Sequence, residues 1–156
     1  MGLMDGKVAL VFGVANRNSI GWGIARKLHE QGATIALSYA GAALEKRVRP
    51  LAQQVDCDFV EICDVTSDAQ LDVLFDQVRA RYGRIDTLVH SVAYANREDL
   101  GGRFIDISRE GFSMALDVVA PEAPFVAAAV IYMLAGGGDI MKPKIKLTKT
   151  LWGRSD

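Results

Sequence analysis

Residues 7–23, Lys7-Val8-Ala9-Leu10-Val11-Phe12-Gly13-Val14-Ala15-Asn16-Arg17-Asn18-Ser19-Ile20-Gly21-Trp22-Gly23, are the most informative stretch of the chain. An apolar run from Val8 to Phe12 ends in Gly13. A polar loop follows through Asn16, Arg17 and Asn18, and Ser19 opens an amphipathic helical pattern continued by Ile24, Ala25 and Leu28. A buried strand that runs through small residues into a helix is a common device for holding a pyrophosphate. The first N–H groups of the helix are unpaired, and its dipole adds partial positive charge there. Gly13 and Gly21 leave room for the backbone to approach an anion, and Ser19 is a good N-cap residue. The spacing is Gly13-x5-Ser19-Ile20-Gly21-x-Gly23 rather than G-x-G-x-x-G, so the loop alone carries two readings. One is a nucleotide cradle; the other is a tight strand-to-helix turn whose glycines serve packing.

The rest of the chain alternates in the same sense. Short apolar, β-branched runs predict strands at Lys7–Phe12, Ala33–Tyr39, Asp58–Ile62 and Asp86–His90. Helical patterns lie between them at Ser19–Gln31, Ala42–Gln54 and Asp68–Tyr82, with Ser67 as an N-cap and Gly32 and Gly83 as C-caps. Such βα units in series predict an α/β fold, a Rossmann-like doubly wound parallel sheet truncated after about four to five strands. Its ligand crevice belongs at the carboxyl ends of the strands, at Gly13, Tyr39-Ala40, Cys63-Asp64-Val65 and Ser91-Val92-Ala93. A polar connection over 94–108 leads to a helix from near Ser108. Pro121 and Pro124 predict a break near 119–124, then a fresh helix over 125–134 and a fifth strand at Ile140–Leu147. On this reading residues 1–141 form an incomplete dinucleotide-binding domain and residues 142–156 a basic C-terminal tail.

Bulk properties narrow the partners. The 156 residues suit one domain with a real core, half hydrophobic and 24% charged. A net charge of −1 argues for neither nucleic acid nor membrane. The tail carries a local +4 that leaves −5 on residues 1–141, and solvated lysines at a chain end account for it. Cys57 and Cys63 stand too far apart along an extended segment to bridge each other, and reduced cysteines suit a cytoplasmic protein. His29 and His90 have no third ligand at metal spacing, so no metal site is expected.

Four elements in order complete the sequence reading: the Gly13-x5-Ser19-Ile20-Gly21 loop, Cys63-Asp64-Val65, His90-Ser91-Val92-Ala93-Tyr94-Ala95, and Arg109-Glu110-Gly111-Phe112. Together they resemble the bacterial NADH-dependent enoyl-acyl-carrier-protein reductases, a divergent branch of the short-chain dehydrogenase/reductases. The likeness is close over residues 1–118, and residues 119–156 diverge. It implies that Gly13, Ala15, Ser19 and Ile20 contact the pyrophosphate and ribose of NAD, and that Asp64 and Val65 meet the adenine. It places Ser91, Val92 and Ala93 under the nicotinamide ribose, and Ala95 and Tyr94 against the acyl substrate. For Val65 and Val92 core packing is an equal reading, and for Ser91 a satisfied strand-end hydroxyl. The resemblance further implies an enoyl thioester on acyl carrier protein as substrate, a place in fatty acid biosynthesis, and a homotetramer.

Departures from the family's pattern qualify the function. The second strand ends Ser38-Tyr39-Ala40 without an acid, which leaves the ribose contact at Ala40 to backbone. Lys46, Arg47 and Arg49 raise NADPH as a second cofactor, although the solvated face of a helix explains them as well; NADH is the first choice on the resemblance. Family catalysis rests on Tyr-x6-Lys, and Tyr39 with Lys46 is the only pair at that spacing, on the adenosine side. No catalytic residue is therefore assigned. Two readings follow: an enoyl-acyl-carrier-protein reductase chain, or a non-catalytic NAD-binding fragment or rearranged pseudo-enzyme. In either case the helix carrying Pro121 and Pro124 predicts weakened subunit assembly.

Overall fold

Val8–Phe12 (β1) is buried at all five residues, which is why its sequence is an unbroken apolar run rather than an alternation. The computed structural model describes residues 1–119. They fall in two compact units, Met1–Val92 and a second that begins at Ala93. In the first unit β1 is followed by α1 (Ile20–Glu30), β2 (Thr34–Tyr39), α2 (Glu45–Ala52), β3 (Phe59–Ile62), α3 (Asp68–Tyr82) and β4 (Thr87–His90). The four strands form one parallel sheet in the order β3-β2-β1-β4. The chain thus steps outward through β2 and β3, then crosses back over β1 to lay down β4.

Right-handed crossovers require α1 and α2 on one face of such a sheet and α3 on the other. The packing agrees. Trp22 and Ala25 of α1 and Val48, Leu51 and Ala52 of α2 share a buried cluster with Ala9, Val11, Ile35, Leu37, Tyr39 and Val60. On the opposite face the Phe12 ring lies 6.5 Å from Phe75, and the Phe59 ring 5.8 Å from Tyr82. This is the expected Rossmann-like doubly wound α/β arrangement.

Each strand begins one residue later than the sequence pattern predicts. At β4 the reason is visible: the Asp86 N–H donates to the Val8 carbonyl at 2.8 Å, while the Asp86 carboxylate accepts the Val8 N–H at 2.8 Å. A side chain has taken over the ladder there, and Lys7 and Arg84 pair with the same carboxylate at 3.4 and 3.0 Å. The predicted helix over Ala42–Gln54 is broken into three pieces, with 3-10 turns at Ala42–Leu44 and Gln53–Val55 flanking α2. Pro50 lies inside α2, where it donates no hydrogen bond and crowds the preceding turn. In the second unit α4 (Arg109–Val119) starts after Ser108, whose Oγ accepts the Gly111 N–H at 3.0 Å. The features predicted over residues 120–156, including the proline break, the fifth strand, the boundary at 141 and the basic tail, lie outside the described residues. No described helix is long and apolar enough to cross a membrane.

Gly23, inside α1, is exposed, and an added β-carbon would meet nothing within 4 Å. Alanine there gains helix propensity without a steric cost, so Gly23→Ala is expected to stabilise the protein by roughly 0.5–1 kcal/mol. A thermal melt should show a rise of several degrees, and a fall would contradict the open space at this position.

Candidate functional site

The parallel sheet delivers all four carboxyl ends to one edge, and its register fixes the neighbours there. Phe12 pairs with Ser38 on one side and His90 on the other, and Tyr39 pairs with Ile62. Gly13, Ala40, Cys63 and Ser91 therefore leave the sheet along a common rim. The connection reverses direction between β1 and β4, the place where sheets of this kind open a crevice.

Gly13 has φ +91°, and a β-carbon on it would lie 1.9 Å from the Ser91 carbonyl oxygen and 2.5 Å from the Ser91 carbonyl carbon. Backbone touches backbone here. The Ser91 N–H also donates to the Phe12 carbonyl at 3.3 Å. Gly21, in the first turn of α1, closes the same knot, since its β-carbon would fall 3.2 Å from the Phe12 carbonyl oxygen and 3.4 Å from Ser91 Cβ. Both glycines thus serve close packing, and that packing seats the start of α1 against the ends of β1 and β4.

Ser19 occupies the N-cap position in extended conformation, yet its side chain does not cap the helix. Its Oγ instead accepts the N–H groups of Ala15 and Asn16, both at 3.0 Å. Asn16 sets this up. Its Oδ1 accepts the Asn18 N–H at 2.8 Å and its carbonyl accepts the Ser19 N–H at 3.1 Å, which curls the loop back on Ser19. Sequence reasoning missed Asn16, although an asparagine two residues before a polar residue in a loop is an Asx-turn signal. Gly23 is the first α1 residue whose N–H is bonded, to the Ser19 carbonyl at 3.2 Å. The N–H groups of Ile20, Gly21 and Trp22 meet no acceptor among the described residues. With the Ser19 hydroxyl hydrogen free to turn outward, they form a donor set suited to an anion. The Ile20 side chain is 77% exposed, so its backbone is the part that counts.

After β3, the Cys63 N–H donates to the Tyr39 carbonyl at 2.9 Å, tying this strand end to β2. Asp64 Oδ1 accepts both the N–H and the hydroxyl of Thr66, at 2.9 and 2.8 Å. The Val65 side chain is buried, as its packing reading requires, but its N–H donates to no acceptor among the described residues. Ala40 is exposed at the end of β2, and Ser91 and Val92 are half-buried after β4. Ala93, Tyr94 and Ala95 continue the chain into the second unit, where Tyr94 is exposed and Ala95 half-buried. There Asp99 accepts from the Ser108 N–H at 3.1 Å and from Asn96 Nδ2 at 3.3 Å. The Ser108 hydrogen bonds hold its carboxyl below the usual carboxylate range. Asp99 therefore braces the connection before α4.

Tyr39 is 4% exposed and packs within the α1/α2 layer, where burial pushes its phenol above the ordinary range. Lys46 lies exposed on α2. The Cys57 and Cys63 thiols are both free and buried, and burial pushes each up to about 11, so neither is a ready nucleophile. Among the described residues no three His, Cys, Asp or Glu side chains gather to hold a metal ion.

Comparison with known proteins bears on this rim. A family model described as enoyl-(acyl carrier protein) reductase matches residues 13–149, past the limit of close likeness at residue 118. The NADH-dependent enoyl-[acyl-carrier-protein] reductase 1 of Rhizobium meliloti is 42% identical over 140 residues, covering 90% of this chain and 52% of the relative. The crystal structure of the NADH enzyme from Aquifex aeolicus VF5 superposes with a TM-score of 0.76 at 39% identity, over 91% of this chain and 53% of that one. The Bacillus cereus enzyme, in complex with NADP+ and indole naphthyridinone, gives 0.71 at 44% identity over 81% and 52%. The chain spans about half the length of the curated relatives it matches.

Proposed function

The chain belongs to the enoyl-acyl-carrier-protein reductase family, and on that premise we propose that it binds NADH along the β1/β4 rim for the reduction of trans-2-enoyl thioesters carried on acyl carrier protein. The observation that carries the reading is the Gly13–Ser19 loop: backbone donors at the start of α1 meet no acceptor among the described residues, and Ser19 is positioned beside them. Gly13, Ala15, Ser19 and Ile20 contact the pyrophosphate and ribose in this reading. Asp64 and the Val65 N–H meet the adenine. Ala40 offers backbone to the adenosine ribose, and Ser91, Val92 and Ala93 line the nicotinamide ribose. Tyr94 and Ala95 border the acyl chain.

When bound, reduced nicotinamide would supply a hydride to the β-carbon of the enoyl thioester, and the resulting enolate would take a proton at the α-carbon. The residues described here bind and orient; none of them is assigned to stabilise the enolate. One observation favours cofactor binding without turnover by these 156 residues. The only Tyr-x6-Lys spacing is Tyr39 with Lys46, and Tyr39 is buried in the layer between the sheet and α1/α2. NADH is preferred over NADPH because β2 ends in Ser38-Tyr39-Ala40-Gly41 without a cation, and Arg49 is engaged by Glu45 at 2.6 Å. Phe112, Leu116 and Val119 form a half-exposed apolar stripe at i, i+4 and i+7 on α4, a face suited to the subunit contacts of the homotetramer that the resemblance implies.

A ligand at a hundred times its Kd adds about 2.7 kcal/mol of stability. Saturating NADH should accordingly raise the melting temperature by roughly 5–15 °C, and NADPH should need a higher concentration for the same rise. Absence of any NADH-dependent rise would overturn the binding reading. NADH oxidation with crotonyl thioester is expected to fall below the ordinary enzyme range of roughly 1–10³ s⁻¹, and turnover within it would overturn the second part.

A further inference from the structure

Gln70, at the third position of α3, directs its side chain away from the helix. Ser67-x-x-Gln70 is the sequence of a capping box, in which the Gln side chain normally reaches back to the N-cap N–H. Here the Ser67 N–H donates to the Asp64 carbonyl at 3.0 Å, and Ser67 makes no side-chain cap. Gln70 Oε1 instead accepts the Asp64 N–H at 2.9 Å. Asp64 is consequently held at three points: its N–H by Gln70, its carbonyl by Ser67, and its Oδ1 by the two donors of Thr66. Among the described residues Asp64 Oδ2 stays an unused acceptor and the adjacent Val65 N–H an unused donor. An acceptor beside a donor is the complement of a 6-aminopurine edge, which offers an exocyclic N–H beside an unprotonated ring nitrogen.

We propose that Gln70 is a positioning residue for base selection: by holding the Asp64 N–H it fixes the Asp64 carboxylate and the Val65 N–H at the spacing of the adenine edge. The proposal rests on the assignment of Asp64 and Val65 to adenine made above. A 6-oxopurine reverses both partners, setting carbonyl oxygen against carboxylate and N–H against N–H. Selectivity between the two bases therefore depends on how rigidly the pair is held, whereas a bond that merely stabilised the turn would affect both bases alike.

The test is titration of the 156-residue chain with reduced nicotinamide adenine dinucleotide and reduced nicotinamide hypoxanthine dinucleotide, following nicotinamide fluorescence. The parent should favour adenine by roughly tenfold or more, the scale of one or two mispaired hydrogen bonds. Gln70→Met keeps the length of the side chain at an exposed helix position and removes the acceptor; it should reduce that ratio at least about fivefold. Gln70→Glu keeps an acceptor oxygen and should restore the ratio to within about twofold of the parent. A Gln70→Met variant that loses affinity for both dinucleotides equally, with the ratio intact, overturns the role of Gln70 alone. A parent that binds both dinucleotides equally overturns the adenine assignment of Asp64 and Val65, and the proposal with it.

Discussion

Gly13→Ala is expected to lower the melting temperature by roughly 10–20 °C. The new β-carbon would sit 1.9 Å from the Ser91 carbonyl oxygen, an atom of the backbone that no side-chain rotation can move aside. Relief requires β4 to part from β1 at the point where the Ser91 N–H reaches the Phe12 carbonyl. The residue also holds φ +91°, which an L side chain rarely adopts. Strain of about 1–3 kcal/mol and overpacking of about 1–3 kcal/mol act together, for a loss near 3–5 kcal/mol. Urea and thermal unfolding followed by circular dichroism measure it. A midpoint equal to that of the parent would mean that the loop and β4 do not touch as described.

Ser19→Ala should act on binding more than on the fold. The substitution leaves the Ala15 and Asn16 N–H groups without their acceptor and removes the hydroxyl hydrogen beside the α1 donors that meet no acceptor among the described residues. Each bond is worth about 0.5–1.5 kcal/mol, so NADH affinity should fall by roughly 10–100-fold while the melting temperature drops only a few degrees. Ser19→Thr keeps the hydroxyl and should recover most of the affinity. Isothermal titration of the three proteins decides the matter, and an unchanged Kd in Ser19→Ala would remove Ser19 from the site.

Some of this was legible in the sequence because the cause was local. Asp68–Tyr82 is a helix over the predicted residues, bounded by Ser67 and Gly83 as the pattern requires. The strands end where the apolar runs end, and the two longest, β1 and β2, are the ones buried between two layers. The second helix was less legible: it runs through Val48 and Pro50, both weak helix formers, and 3-10 turns replace its two ends. The loop's glycines were found for an incomplete reason. Nothing near Gly13 in sequence announces Ser91, 78 positions away, and only the folded sheet shows that the glycine accommodates protein backbone. Ser19 posed the opposite difficulty: a hydroxyl before a helix can serve the helix or the loop, and the turn made by Asn16 settles which. For Asp64 the residue was visible, but its holders Thr66 and Gln70 were not, because hydrogen bonds from side chain to backbone leave little trace in periodicity.

The register of the sheet also sets an order of events during folding. Val8 finds its β2 partner Thr34 across 26 positions, whereas Ala9 finds its β4 partner Thr87 across 78. Threefold longer closure costs about 1 kcal/mol more in chain entropy, and such distant pairings are the slow ones. The wall that Ser91 raises behind Gly13 is thus among the last pieces to arrive. A dinucleotide seated there would meet an already assembled sheet, and would act chiefly as a latch that slows the departure of β4.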